Sequence, residues 1–144
     1  MKTLTVHASE TYDILIGENI LASALARFAG SGRFCLVTDS NVEPLYGDLV
    51  RGLLKAHGSV SGFTFPAGEP SKTLGTFSLL LEHLASAGLT RSDTVVALGG
   101  GVTGDLAGFA ASCYLRGVRV LQIPTTLLAM IDSSVGGKTG VDLK

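Results

Sequence analysis

Gly99-Gly100-Gly101-Val102-Thr103-Gly104-Asp105 is the segment of this 144-residue chain whose residue types and spacing point most directly to chemistry. It follows an apolar run at 94–98 that reads as a buried strand, and it precedes a run at 106–111 that reads as helical. A glycine-rich turn from strand to helix presents backbone N–H groups at a helix N-terminus, a site for phosphate or pyrophosphate. Gly99, Gly101 and Gly104 also match G-x-G-x-x-G, but outside the first strand–helix unit, with Gln122, Ile123 and Pro124 where the acid of a dinucleotide fingerprint belongs. Two readings stay open: phosphate contact through a different topology, or glycines required only by close packing. Asp105 would repel an anion. It reads either as a charge suited to a helix N-terminus or as a hydrogen-bond partner for a ribose or nicotinamide group.

Further polar clusters follow other apolar runs. Thr38-Asp39-Ser40-Asn41 offers a carboxylate that can accept both hydroxyls of an adenosine ribose; equally, Ser40 with Glu43 makes a capping box. Gly68-Glu69-Pro70-Ser71-Lys72 places Glu69 and Lys72 beside the expected cleft, or is a solvated turn with Ser71 as N-cap. Thr125 and Thr126 offer adjacent hydroxyls to a ligand, or the N-cap of a helix beginning near Leu127. Gly137-Lys138-Thr139 matches the end of a P-loop, but Asp132 stands five residues before Gly137 where that motif needs glycine, and no strand abuts it. The P-loop is rejected. What remains is a glycine loop bringing Asp132 and Lys138 together for acid–base work or for binding a hydroxylated, phosphorylated substrate. Arg116 and Arg119 flank Gly117 and suit either phosphate or a helix C-terminus. His7, His57 and His83 have no metal-ligand spacing, so no metal site is expected in this chain.

These residues need a scaffold, and the periodicities supply one. Strands are expected at 3–8, 12–16, 34–37, 60–65, 94–98 and 118–123, with helices at 19–29, 42–57, 73–87 and 105–115. The first two strands are short enough to pair with each other. The alternation that follows predicts an α/β fold: a Rossmann-like, mostly parallel sheet with helices on both faces and ligands at the carboxyl ends of its strands. The length fits one domain over 1–144. The segment 125–144 carries many functional-looking residues with no closing element, and reads as part of a longer protein, the alternative being a short chain with a frayed tail.

A hydrophobic content of 46 % excludes disorder, and a net charge of −1 gives no electrostatic case for nucleic acid or an anionic membrane. No apolar stretch is long enough to span a bilayer, and the N-terminus alternates where a signal peptide needs an apolar block. Cys35 and Cys113 each sit in an apolar setting and read as buried free thiols of a reducing cytoplasm, with a disulfide as the lesser alternative.

The loop at 99–105, Gly108-Phe109-Ala110-Ala111, Tyr114-Leu115-Arg116-Gly117, Gln122-Ile123-Pro124-Thr125-Thr126-Leu127-Leu128 and the run at 132–141, in this order, resemble the 3-dehydroquinate synthase family. Thr38-Asp39-Ser40-Asn41 and Gly68-Glu69-Pro70-Ser71-Lys72-Thr73 fit as well, so the resemblance spans nearly the whole chain. Sister sugar-phosphate cyclases, which make valiolone-type or inosose rings, share the triple glycine and Pro-Thr-Thr. The run at 133–138 looks like the dehydroquinate branch. Asp142 stands where the family commonly has Asn.

The resemblance implies an N-terminal NAD-binding domain. A helical C-terminal domain, carrying a glutamate and two histidines for zinc or cobalt, is expected beyond Lys144. By the same resemblance Asp39 and Asn41 bind the adenosine side of NAD. Gly68, Glu69 and Lys72 approach the cofactor from their loop, and Gly100, Gly101, Val102, Thr103, Gly104 and Asp105 wrap the pyrophosphate and neighbouring ribose. Thr125, Thr126 and Leu128 hold the nicotinamide half, with Ser133 beside them. Asp132 and Lys138 reach both cofactor and substrate, and Arg116 reaches the substrate phosphate of a dimer partner. The implied reaction converts 3-deoxy-arabino-heptulosonate 7-phosphate to 3-dehydroquinate and phosphate in a cytoplasmic homodimer, with this chain alone inactive. The Asp39 carboxylate suits the free 2′-hydroxyl of NAD and would repel the 2′-phosphate of NADP.

Overall fold

The computed structural model describes residues 1–143, which form two compact units, one over Met1–Gly30 and one from Ser31 onward. In the first, β1 (Lys2–His7) and β2 (Thr11–Ile16) pair antiparallel from Lys2↔Ile16 to His7↔Thr11, and α1 (Leu21–Phe28) follows. Asp13 on β2 accepts a hydrogen bond from the Thr5 hydroxyl at 2.7 Å and an ion pair from Arg27 on α1 at 2.5 Å. The unit thus ties its hairpin to its helix.

The second unit carries β3 (Gly32–Asp39), α2 (Asp48–Lys55), β4 (Gly58–Phe65), α3 (Leu74–Ser86), β5 (Thr94–Gly99), α4 (Gly101–Cys113) and β6 (Arg119–Pro124). The four strands form one sheet in the order β4-β3-β5-β6, all pairs parallel. Apolar residues run unbroken through the centres of β3 and β5 because both faces are covered. Cys35, Val37, Val95 and Ala97 join Leu80 and Leu84 of α3 and Leu106, Ala107, Ala110 and Ala111 of α4 in one buried cluster. Their alternates Phe34, Leu36, Val96 and Leu98 point to the opposite face and are just as buried. The expected parallel α/β sheet is therefore present.

The amino end of the sheet is closed by Asp93, which is 5 % exposed. Its Oδ1 accepts the Arg33 N–H at 2.8 Å, and its Oδ2 accepts the Thr90 N–H at 2.6 Å and the Thr90 hydroxyl at 3.0 Å. Burial opposes the charge, but the Arg33 and Thr90 donors hold the carboxyl below its ordinary range. Gly32 turns there with φ +136°, and a Cβ on it would come within 2.8 Å of Asp93 Oδ1.

Three local expectations need correction. The single helix expected at 42–57 is a π-helical turn, Glu43–Gly47, running into α2. The Glu43 side chain folds back toward Arg51, at 2.5 Å, and fills the space that a Cβ on Gly47 would take. The helix expected from 105 begins at Gly101, behind the extended Gly100, with no side-chain cap to mark its start. Cys35 is buried, its thiol pushed up to about 11 by desolvation, whereas Cys113 is exposed; both are free.

Candidate nucleotide-binding site

The chain crosses over at the carboxyl ends of β3 and β5. From β3 it proceeds to β4 on one side, then returns past β3 to β5 on the other. Crevices at such switch points are where open α/β sheets bind ligands. A cleft of about 350 Å³ lies there, lined by Asp39, Asn41, Val42, Ala67, Gly68, Gly100, Gly101, Val102, Thr103 and Thr126. Its volume suits a small-molecule site.

One wall is the N-terminus of α4. Because the helix starts at Gly101, the amides of residues 101–103 precede the first intrahelical bond, which runs from Gly104 N–H to Gly100 O at 3.0 Å. Those amides and the helix dipole favour an anion. Gly104 is thereby corrected from loop to helix: its N–H is already engaged, and a Cβ on it would meet Gln122 Oε1 at 2.8 Å. A Cβ on Gly99 would collide with Thr103. Gly99 and Gly104 thus serve close packing, while Gly100 and Gly101 face the cleft.

The opposite wall is the end of β3. Asp39 Oδ1 accepts the N–H groups of Asn41 at 2.9 Å and Val42 at 3.0 Å, so Asp39 performs the capping expected of Ser40 with Glu43. Ser40 Oγ instead accepts the Ala67 N–H at 3.0 Å and draws the β4 loop to the cleft. Asp39 Oδ2 accepts the Thr103 hydroxyl at 3.3 Å, linking the two walls. A carboxylate with a long third bond retains capacity for ligand hydroxyls.

Thr126 is on the lining of this cleft, whereas Glu69, Lys72, Asp105, Thr125, Leu128, Asp132, Ser133 and Lys138 are not. Asp105, in the second turn of α4, accepts Lys72 Nζ at 3.0 Å, with Glu69 at 3.4 Å. The Asp105 hydrogen bond raises the Lys72 pKa against the effect of burial. Ser71 Oγ donates to Pro66 O, and Thr73 caps α3 in place of Ser71. Thr126 Oγ1 accepts the Ala129 N–H at 3.1 Å, the cap expected for a helix beginning near Leu127; exposed Leu128 then leads into a π-helical turn, Ala129–Ser133. Buried Thr125 Oγ1 and Ser133 Oγ have no hydrogen-bond partner, and Ser133 Oγ lies 3.1 Å from the position of a Cβ on Gly101. Asp132 and Lys138 do meet, at 2.6 Å, on an exposed loop, and that hydrogen bond raises the Lys138 pKa.

Arg116 is not brought here. It follows the far end of α4, about 20 Å along the helix axis. Val42 and Ala67 line the cleft with no chemical signal in the sequence; only their places after β3 and β4 mark them. Among the described residues no group of three or more His, Cys, Asp or Glu could hold a metal, and no helix is long and apolar enough to cross a membrane.

Comparison with known proteins agrees with this geometry. A 3-dehydroquinate synthase of Alkaliphilus metalliredigens is 48 % identical across the whole chain, and one of Symbiobacterium thermophilum is 51 % identical over 93 % of it. The chain spans about 40 % of the length of these relatives. A 2-deoxy-scyllo-inosose synthase solved with carbaglucose-6-phosphate, NAD+ and Co2+ superposes with a TM-score of 0.92 at 30 % identity, over 99 % of this chain and 40 % of that one. A 2-epi-5-epi-valiolone synthase from Streptomyces hygroscopicus with NAD+ and Zn2+ bound gives 0.83 at 33 %, over 97 % and 39 %. Iron-containing alcohol dehydrogenases share the fold at lower similarity, one at a TM-score of 0.58 and 19 % identity. The 3-dehydroquinate synthase N-terminal family matches residues 62–144, more than half of the sequence, and this chain belongs to it.

Proposed function

We propose that this chain is the NAD+-binding part of a 3-dehydroquinate synthase, a cytoplasmic homodimer that converts 3-deoxy-arabino-heptulosonate 7-phosphate to 3-dehydroquinate and phosphate. The observation that carries the reading is the cleft at the β3/β5 crossover, with helix amides that precede the first intrahelical bond on one wall and a carboxylate on the other. Identity of 48–51 % to 3-dehydroquinate synthases, against 30–33 % to the two cyclases, favours the dehydroquinate branch.

The residues present fit NAD+. Amides 101–103 suit its pyrophosphate, Asp39 and Asn41 its adenosine ribose, and the orphaned hydroxyls of Thr125 and Ser133 its nicotinamide amide. When bound, the cofactor supplies reversible hydride acceptance. The protein's part is to hold it in one orientation. Lys72, neutralised by Asp105, supports the α4 wall without adding free charge. Lys138, kept protonated by Asp132, offers a proton and a positive charge to an anionic substrate, and Asp132 accepts a hydroxyl. In this reading Arg116 serves the partner's substrate phosphate. Among the described residues no group of side chains fits a divalent metal, and the chain alone binds cofactor without turnover.

Calorimetric titration of this chain with NAD+, against Mg-ATP, tests the reading. Saturable NAD+ binding without comparable ATP binding is expected. Preferential ATP binding overturns it.

A further inference from the structure

We propose that Gly108 and Thr139 form a keyed contact that positions Lys138. The role of Lys138 rests on the proposed function; the contact itself does not. Gly108 is buried in the middle of α4, and a Cβ on it would occupy the space of Thr139 Cγ2. From Thr139 onward the chain is strapped across the helix. Gly140 N–H donates to Asp105 O at 3.3 Å, and Asp142 N–H donates to Lys72 O at 2.9 Å. Asp142 also forms a parallel bridge with Thr73, and Val141 packs on the core cluster. The strap is thus fastened to the two residues of the Lys72–Asp105 pair. Lys138 is adjacent to its first anchor and is itself 64 % exposed, with its tip on Asp132. A side chain so exposed owes its location to its backbone, and the Thr139 methyl seated on Gly108 sets that backbone.

The test uses a sign. Alanine favours helix over glycine, so Gly108→Ala stabilises α4 if nothing occupies the Cβ space. The keyed contact predicts the opposite: a lower unfolding midpoint and amide exchange at Gly140 and Asp142 faster by about tenfold. NAD+ affinity should fall several-fold. Thr139→Ser removes Cγ2, so G108A/T139S should restore all three. In a Lys138→Met background, Gly108→Ala should leave NAD+ affinity where Lys138→Met put it.

A raised midpoint with unchanged exchange in Gly108→Ala overturns the proposal. So does a double variant no better than the single one, including the case where both fail to fold. Equal further loss of NAD+ affinity in the Lys138→Met background shows that the contact acts elsewhere and also overturns it. Exchange is measured without cofactor. A chain that keeps this strap behaviour but never binds NAD+ contradicts the proposed function alone.

Discussion

Asp93 and Asp39 stand at opposite ends of the same sheet, and each accepts three hydrogen bonds. Hydrogen-bond count does not separate them. Asp93 is 5 % exposed with all partners within 3.0 Å, whereas Asp39 lines a cleft and its third partner is at 3.3 Å. The difference teaches that a carboxylate's role is read from what it faces. Sealed in, it closes the fold; facing a cavity, it can still serve a ligand.

The same substitution at both ends sharpens this contrast. Asp93→Asn turns an amide NH2 toward donors, from Arg33 on one side or Thr90 on the other. It should cost about 2 kcal/mol in denaturant unfolding. Because folding lowers the Asp93 pKa, its contribution is present above the ordinary carboxylate range and is lost as pH falls through the folded value. The variant should therefore show a flatter acid limb. An unchanged urea midpoint would break the comparison.

Asp39→Asn should leave the unfolding midpoint nearly unmoved. The amide oxygen still accepts from Asn41 and Val42, and the NH2 can donate to the Thr103 hydroxyl oxygen. It should weaken NAD+ about tenfold by removing the charge that meets the ribose hydroxyls, as calorimetry would read. Loss of stability with intact NAD+ affinity would make Asp39 a second Asp93.

Asp105→Asn is expected to have the smallest effect, about 1 kcal/mol, since its pair with Lys72 is shielded but not sealed (17 % and 21 % exposed). Folding raises the Lys72 pKa, so that contribution is full below the ordinary lysine value and is lost as pH rises through the folded one. The variant should lose less stability than the parent on alkaline titration. An identical alkaline limb would show that the pair contributes nothing.

The sheet was legible because fully buried strands write continuous apolar runs, as at Phe34-Cys35-Leu36-Val37 and Val95-Val96-Ala97-Leu98. The cleft was legible because polar residues follow those runs at the strand ends. The start of α4 was not, since Gly101 enters the helix without a capping side chain and Gly104 has weak helix propensity. Nor was the π-helical turn at Glu43, which depends on Arg51 drawing the Glu43 carboxylate over Gly47. The duties of Asp39 and Ser40 were exchanged because the Ser40 partner, Ala67, lies 27 residues away, beyond any local pattern. Cys113 looked buried from its apolar neighbours, but the last turn of α4 carries it to the surface.

Amide shifts on NAD+ addition test the central claim most directly. The account predicts that the largest shifts fall on the amides of Gly101, Val102 and Thr103, with smaller ones at Asn41 and Val42. Saturating NAD+ that shifts the Gly136 and Gly137 region instead, or leaves the α4 N-terminus untouched, would contradict it.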